Sequence, residues 1–212
     1  LLQSSAASDV YKRQPEDLAK TLIHAYYASV SFVDAQIGEL INALDALELR
    51  ESTVVVLMGD HGWSLSDHGL WAKHSNFEVA LQVPMIISAP GLSENKISNS
   101  VAELVDLYPT LCDLTSGIKP PHLQGNSLIS SLQNPDKIYK TTALARWQKG
   151  ETLIENNYFY TEWTLMSNRI QRMLYDHSID PDETVNLATL RLYDKTVENL
   201  SQQLKLFKKS FN

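Results

Sequence analysis

Five apolar residues in a row, Val54-Val55-Val56-Leu57-Met58, run without alternation into Gly59-Asp60-His61-Gly62-Trp63. A β-branched, apolar run of this kind predicts a strand buried on both faces of a parallel sheet. A second run, Val83-Pro84-Met85-Ile86-Ile87-Ser88, closed by Pro90-Gly91, reads the same way. Two such strands cannot make a sheet covered on both faces. The sequence therefore reads as the later part of a larger α/β domain, and as a fragment. In open α/β sheets ligands gather outside the carboxyl ends of the strands, where Asp60 and His61 would emerge. The alternative for this pair is a turn acid beside a capping histidine.

The flanking elements follow from local pattern. Pro15-Glu16-Asp17 suits a helix start, with proline pre-set for the first turn and acids facing the dipole. Ile37, Leu40, Ile41, Leu44 and Leu47 then share one face of a helix that runs to about Leu49. A polar loop over residues 93–100 leads to a helix from about Val105, with Pro109 tolerated near its first turn and Cys112 as a small buried hydrophobe. Prolines and glycines between Pro120 and Pro135 mark the approach to a boundary. Beyond it, the β-rich segments 141–147, 152–155, 158–164 and 171–175 are spaced as an antiparallel meander, with Asn156-Asn157 as a hairpin turn. A last helix is expected over about Leu190 to Lys209, with Leu200, Leu204 and Leu192 on its apolar side. The fold class expected is α/β: a large-domain portion over 15–136, then a small α+β subdomain over 137–212. Residues 1–14 are polar and aperiodic, and read as a non-native or disordered tail.

Composition limits the function. The 43% hydrophobic and 20% charged content is that of an ordinary globular chain. A net charge of −7 with no basic stretch argues against a nucleic-acid partner. No apolar run approaches the length of a membrane span. The single cysteine allows no intrachain disulfide. The oligomeric state is not legible.

An adjacent carboxylate and imidazole could bind a divalent cation, the carboxylate suiting Ca²⁺ or Mg²⁺ and the imidazole suiting Zn²⁺. Such an ion can bind and polarise an anionic ester oxygen, and Lys73 could add a second positive charge there. The whole stretch from Gly59 through Asp67-His68-Gly69-Leu70-Trp71-Ala72-Lys73-His74-Ser75-Asn76-Phe77 to Glu78 resembles the second metal-site segment of the sulfatases, most closely in their iduronate-2-sulfatase branch. His24-Ala25-Tyr26-Tyr27-Ala28-Ser29-Val30-Ser31-Phe32-Val33-Asp34 resembles the helix before that strand. Val83-Pro84-Met85-Ile86 and Asp106-Leu107-Tyr108-Pro109-Thr110-Leu111 resemble the elements after it. Tyr160-Thr161-Glu162-Trp163, Leu174-Tyr175-Asp176, Asp180-Pro181, Glu183 and Asn186-Leu187-Ala188 resemble the C-terminal subdomain.

The resemblance implies Asp60 and His61 as metal ligands, with Ca²⁺ the family's usual ion. His61 stands where many members carry an amide, which leaves Mg²⁺ and Zn²⁺ open. It implies Lys73 as a contact to the sulfate and places His68 and His74 near the site mouth, His74 against the leaving sugar or bracing the loop. Trp63 and Trp71 would wall the pocket or pack beneath the loop. The implied substrate is a sulfated sugar of glycosaminoglycan type, and the implied compartment a periplasm, lysosome or the exterior. The nucleophile of these enzymes is a formylglycine made within a Cys/Ser-x-Pro/Ala-x-Arg motif, giving covalent catalysis. Cys112 is followed by Asp113-Leu114-Thr115-Ser116 and does not fit it, and no Asp-Asp pair occurs. Nucleophile and remaining ligands are therefore expected upstream of residue 1, and this chain alone is expected to be inactive. The rival readings are a phosphonate monoester hydrolase or phosphodiesterase of the same superfamily, and a non-catalytic binder of sulfated glycans.

Overall fold

The computed structural model describes residues 15–92, 95–165 and 169–210. The tail expected over residues 1–14 lies outside them. The chain divides into two compact units. One holds the described residues through His74 together with Gln82–Pro90; the other holds Ser75–Leu81 and the described residues from Gly91 onward.

The first unit opens with α1, Glu16–Ala46, a helix of 31 residues that begins where Pro15 predicts, with Glu16 and Asp17 in its first turn. It stops three residues short of the expected end. Glu48 takes a left-handed φ of 56°, and Arg50 turns back to clamp the Asp45 carboxylate through two hydrogen bonds of 2.7 and 2.8 Å. Four strands follow: β1 (Val55–Met58), β2 (Ser64–Leu65), β3 (Trp71–Ala72) and β4 (Met85–Ser88). β1 and β4 pair antiparallel, with Val55 opposite Ser88 and Met58 opposite Met85. This corrects the parallel pairing expected. Within this chain alone Leu57, Met58 and Ile86 are exposed, and no residue of α1 is buried. An apolar β-branched run specifies extended backbone but not the direction of its partner. The connection from β1 to β4 is long enough for either direction, and it contains a small hairpin and no crossover helix within this unit.

The second unit contains α2 (Glu78–Leu81), α3 (Leu107–Leu114), α4 (Ile129–Gln133), the strands β5 (Thr142–Trp147), β6 (Gly150–Glu155), β7 (Tyr158–Thr164) and β8 (Ile170–Asp176), and α5 (Asp194–Ser210). The four strands form the expected antiparallel meander in sequential order. Asn156 adopts a left-handed φ of 53° at the tight turn, a conformation that asparagine tolerates better than most residues. Cys112 is buried within α3, as a small hydrophobe should be. Alternation along the strands gives the sheet two apolar faces. Leu153, Tyr160 and Leu174 meet Val197, Leu200 and Leu204 of α5, at helical spacing, in one core. Leu192, expected on that stripe, is 86% exposed, because α5 begins only at Asp194.

Phe159, Met173 and Tyr175 form a second cluster, against which Phe77 packs. Beside it, Asn76 donates to Gly150 O (3.3 Å) and Thr152 Oγ1 (3.0 Å). Gly150 has no room for a side chain: a Cβ would stand 2.4 Å from Trp163 Nε1 and 2.5 Å from Asn76 Oδ1. The Glu78 N–H donates to Glu183 Oε2 at 2.9 Å. His177, stacked on Phe159 at 3.9 Å, stands between Glu78 (3.4 Å) and the buried Glu183 (3.3 Å).

A buried carboxylate ties the sheet to α5. Glu162 Oε1 accepts from Tyr160 Oη (2.7 Å), Ser201 Oγ (2.8 Å) and Arg172 Nε (3.2 Å). Burial acts to push this carboxyl up, but the three donors outweigh it and hold Glu162 below its ordinary value. A carboxyl lowered in the folded state stabilises the fold above its unfolded pKa, and that contribution is lost as pH falls through the folded one. Glu162→Gln should therefore cost about 1–3 kcal/mol near neutrality, with the gap to wild type shrinking below about pH 4. Thermal unfolding of both proteins between pH 7 and pH 3 reads this. A gap that stays constant with pH would show that the charge on Glu162 does not matter.

Candidate functional site

β1 delivers its last side chain at Met58, and the following turn carries the candidate ligands. Gly59 passes close beneath the start of β4: its N–H donates to Pro84 O (3.1 Å), and a Cβ there would press to 3.2 Å from the Val83 Cβ. The glycine thus lets the chain leave the strand tight against its neighbour. Asp60 Oδ1 accepts from the His61 N–H at 3.1 Å. His61 Nδ1 lies 2.9 Å from Gly62 O. A carbonyl oxygen can only accept, so Nδ1 is the donor in this contact. Nε2, on the other side of the ring, stands 3.5 Å from Asp60 Oδ2. The Asp60 side chain is 82% exposed and that of His61 29%.

Two donors facing each other across this gap suit one shared cation. Ligands about 2.4 Å from one ion and at a right angle to it stand about 3.4 Å apart. A backbone carbonyl holding the far nitrogen of a ligating imidazole is the usual supporting contact in metal sites. The pair fits one edge of a coordination shell and no more. Among the described residues no group of three or more His, Cys, Asp or Glu side chains is placed to hold an ion.

The loop after the pair is a hairpin of unusual backbone. β2 and β3 pair antiparallel, Ser64 opposite Ala72 and Leu65 opposite Trp71. Between and at the end of them, Ser66 (φ 90°), His68 (φ 53°), Gly69 (φ 73°) and Ala72 (φ 71°) are all left-handed. Asp67 Oδ2 braces the turn by accepting from the Leu65 N–H at 2.7 Å. Residues other than glycine rarely adopt this conformation, and such residues cluster where a loop has a task. Lys73 and His74 leave β3 directly after the left-handed Ala72, and both are exposed, as is His68. The structure brings Asp60 and His61 together; Lys73 makes no ion pair with Asp60 among the described residues.

Sequence reading misses one feature. Tyr26 of α1 stacks on Trp63 (6.1 Å between centroids, 26° between planes), and Trp63 stacks on His61 (6.2 Å, 28°). Tyr26 and Trp63 are far apart in sequence, and no local pattern signals that they meet.

Comparison with known proteins places this geometry in a family. The profile of the family described as Sulfatase matches residues 4–118, more than half of the chain, and that of N-sulphoglucosamine sulphohydrolase, C-terminal, matches residues 66–210. The chain belongs to the sulfatase family, as its motifs imply. Among curated relatives, Arylsulfatase K of Mus musculus is 32% identical over 186 residues, covering 82% of this chain and 34% of the relative. Iduronate 2-sulfatase of Homo sapiens is 36% identical over 145 residues, covering 57% and 26%. The chain thus spans about a third or less of the length of these two relatives. Among solved structures, a 2-O GAG sulfatase superposes with a TM-score of 0.84 at 26% identity, covering 94% of this chain and 45% of that one. A phosphonate monoester hydrolase from Silicibacter pomeroyi superposes at 0.78 with 22% identity, covering 85% and 39%, a likeness of fold. The mixed helix-and-sheet architecture, with antiparallel sheets and a C-terminal helix, is that of these neighbours. No described helix is long and apolar enough to cross a membrane.

Proposed function

We propose that this chain is part of an enzyme that hydrolyses a sulfate ester on a sulfated sugar of glycosaminoglycan type. The observation that carries the reading is the Asp60–His61 pair, with Nε2 held 3.5 Å from the carboxylate and Nδ1 on Gly62 O, inside the stretch matched by the sulfatase profile. In this reading Asp60 and His61 hold a divalent cation, Ca²⁺ before Mg²⁺ or Zn²⁺. That ion supplies positive charge against the oxygens of the ester. Asp60 contributes a negatively charged oxygen to the shell, and His61 its Nε2, with Nδ1 held by Gly62 O. Lys73 binds the sulfate and opposes the charge that grows on its oxygens as the ester bond breaks. His74 contacts the leaving sugar, where an imidazole can hand a proton to the departing alcohol. No Cys/Ser-x-Pro/Ala-x-Arg segment occurs in this sequence, so the formylglycine nucleophile is assigned to another part of the protein. Export to a periplasm, lysosome or the exterior belongs to the same reading.

The finer assignment is iduronate-2-sulfatase-like specificity, supported by the 36% identity to that enzyme; Arylsulfatase K stands comparably near. The test is turnover of an aryl sulfate and an aryl phosphonate, side by side, by the full natural protein. The sulfate should be the better substrate. Preference for the phosphonate would replace the reading with a phosphonate hydrolase, and failure on both, with retained binding of a sulfated oligosaccharide, would make the protein a binder. Lys73→Ala should lower kcat on the sulfate about 100-fold with KM little changed, since it acts on developing charge. Unchanged kinetics would remove Lys73 from the site.

A further inference from the structure

The column of rings that starts on α1 ends on the imidazole assigned to the cation. Tyr26, Trp63 and His61 lie at successive centroid separations of 6.1 and 6.2 Å with planes inclined by 26° and 28°, the offset arrangement that aromatic rings favour. Tyr27 meets Tyr26 edge-on at 6.3 Å and 77°. We infer that Trp63, backed by Tyr26, is a positioning residue: it fixes the plane of the His61 ring so that Nε2 faces the point a cation shares with Asp60. This inference rests on the metal-site reading and extends it to two residues that would touch neither ion nor substrate.

The contact from Nδ1 to Gly62 O (2.9 Å) pins one edge of the imidazole, but a ring held at one edge can still rotate about that hydrogen bond. A flat surface against its face removes the rotation. Trp63 supplies that surface, and Tyr26 supplies one for Trp63. An aliphatic side chain of similar bulk would cover the imidazole without defining its plane.

The experiment is Ca²⁺ titration by calorimetry of the full natural protein after chelation, with thermal unfolding of each metal-free variant as a control on folding. Trp63→Leu should weaken Ca²⁺ binding about tenfold or more, in the range seen when groups orienting a metal ligand are removed. Trp63→Phe, which keeps a flat ring, should lie at least threefold closer to wild type. A Leu variant within threefold of the Phe variant overturns the inference while leaving the metal-site reading intact. Should Trp63→Leu not fold, Tyr26→Leu against Tyr26→Phe is judged by the same threefold separation. If the wild type binds none of Ca²⁺, Mg²⁺ and Zn²⁺, the metal-site reading falls and the positioning role with it.

Discussion

Asp60→Ala in the full natural protein should abolish retention of the cation and lower kcat/KM by about 1,000-fold or more, since one preorganised charge contact at a reacting oxyanion is already worth about 100- to 1,000-fold. The size of the effect follows from what remains. With the carboxylate gone, the shell loses a charged oxygen ligand and this chain offers only the His61 imidazole, a poor ligand for a hard cation. Stability measurements separate this from a structural role. Within this chain the Asp60 side chain is 82% exposed, and among the described residues the hydrogen bond it accepts comes from the adjacent His61 N–H. Substitution at such a position ordinarily changes stability by no more than about 0.5 kcal/mol, so the metal-free variant should melt with the wild type. The wild type should then gain about 2.7 kcal/mol when Ca²⁺ is raised to a hundred times its Kd, and the variant should gain nothing. If Asp60 only capped a turn, the two proteins would respond to Ca²⁺ alike and differ without it.

How much of this was legible depends on the range of the interaction. The meander of β5 to β8 could be read because β-forming segments, their spacing and the Asn156 turn are local, and hairpin pairing follows from them. The α5 stripe of Leu200 and Leu204 was equally plain, whereas Leu192 falls in a single 3₁₀ turn before the helix and is exposed. The direction in which β1 meets β4 was misread, since valines and isoleucines state only that backbone is extended. At the site, the Asp60–His61 pair was visible because the two ligands are neighbours. The contacts that would orient it were not: the Gly62 carbonyl belongs to the backbone, and Tyr26 reaches Trp63 across most of α1 and all of β1. The anchoring of Asn76 on Gly150 and of Glu78 on Glu183 was hidden for the same reason, the partners lying 74 and 105 residues apart.

Asp106 carries the largest expected effect on stability. It opens the Asp-Leu-Tyr-Pro-Thr-Leu segment, and an acid in a family-like motif invites a catalytic role. The structure gives it a different one. Asp106 is fully buried. Its Oδ1 accepts from the Asn126 N–H (2.8 Å), and its Oδ2 from the Glu103 N–H (2.9 Å) and from Lys140 Nζ (2.7 Å). One side chain thereby joins the turn before α3, the loop at Asn126 and the segment leading into β5. Burial alone would pull the Lys140 ammonium down; the Asp106 and Glu103 carboxylates against it raise it above its ordinary value. Relaxation around a lost carboxylate is restricted, because Gly125 lies so close that a Cβ there would stand 2.0 Å from Val105 O. Asp106→Ala would leave two backbone N–H groups and part of a buried ammonium without their acceptor, and breaking a buried ion pair from one side costs about 3–5 kcal/mol. In the full natural protein that loss should appear as a lower Tm in thermal unfolding. Ca²⁺ affinity of whatever remains folded should equal that of wild type. A variant of the full natural protein that melts with the wild type yet loses activity would return Asp106 to the chemistry and remove it from the scaffold.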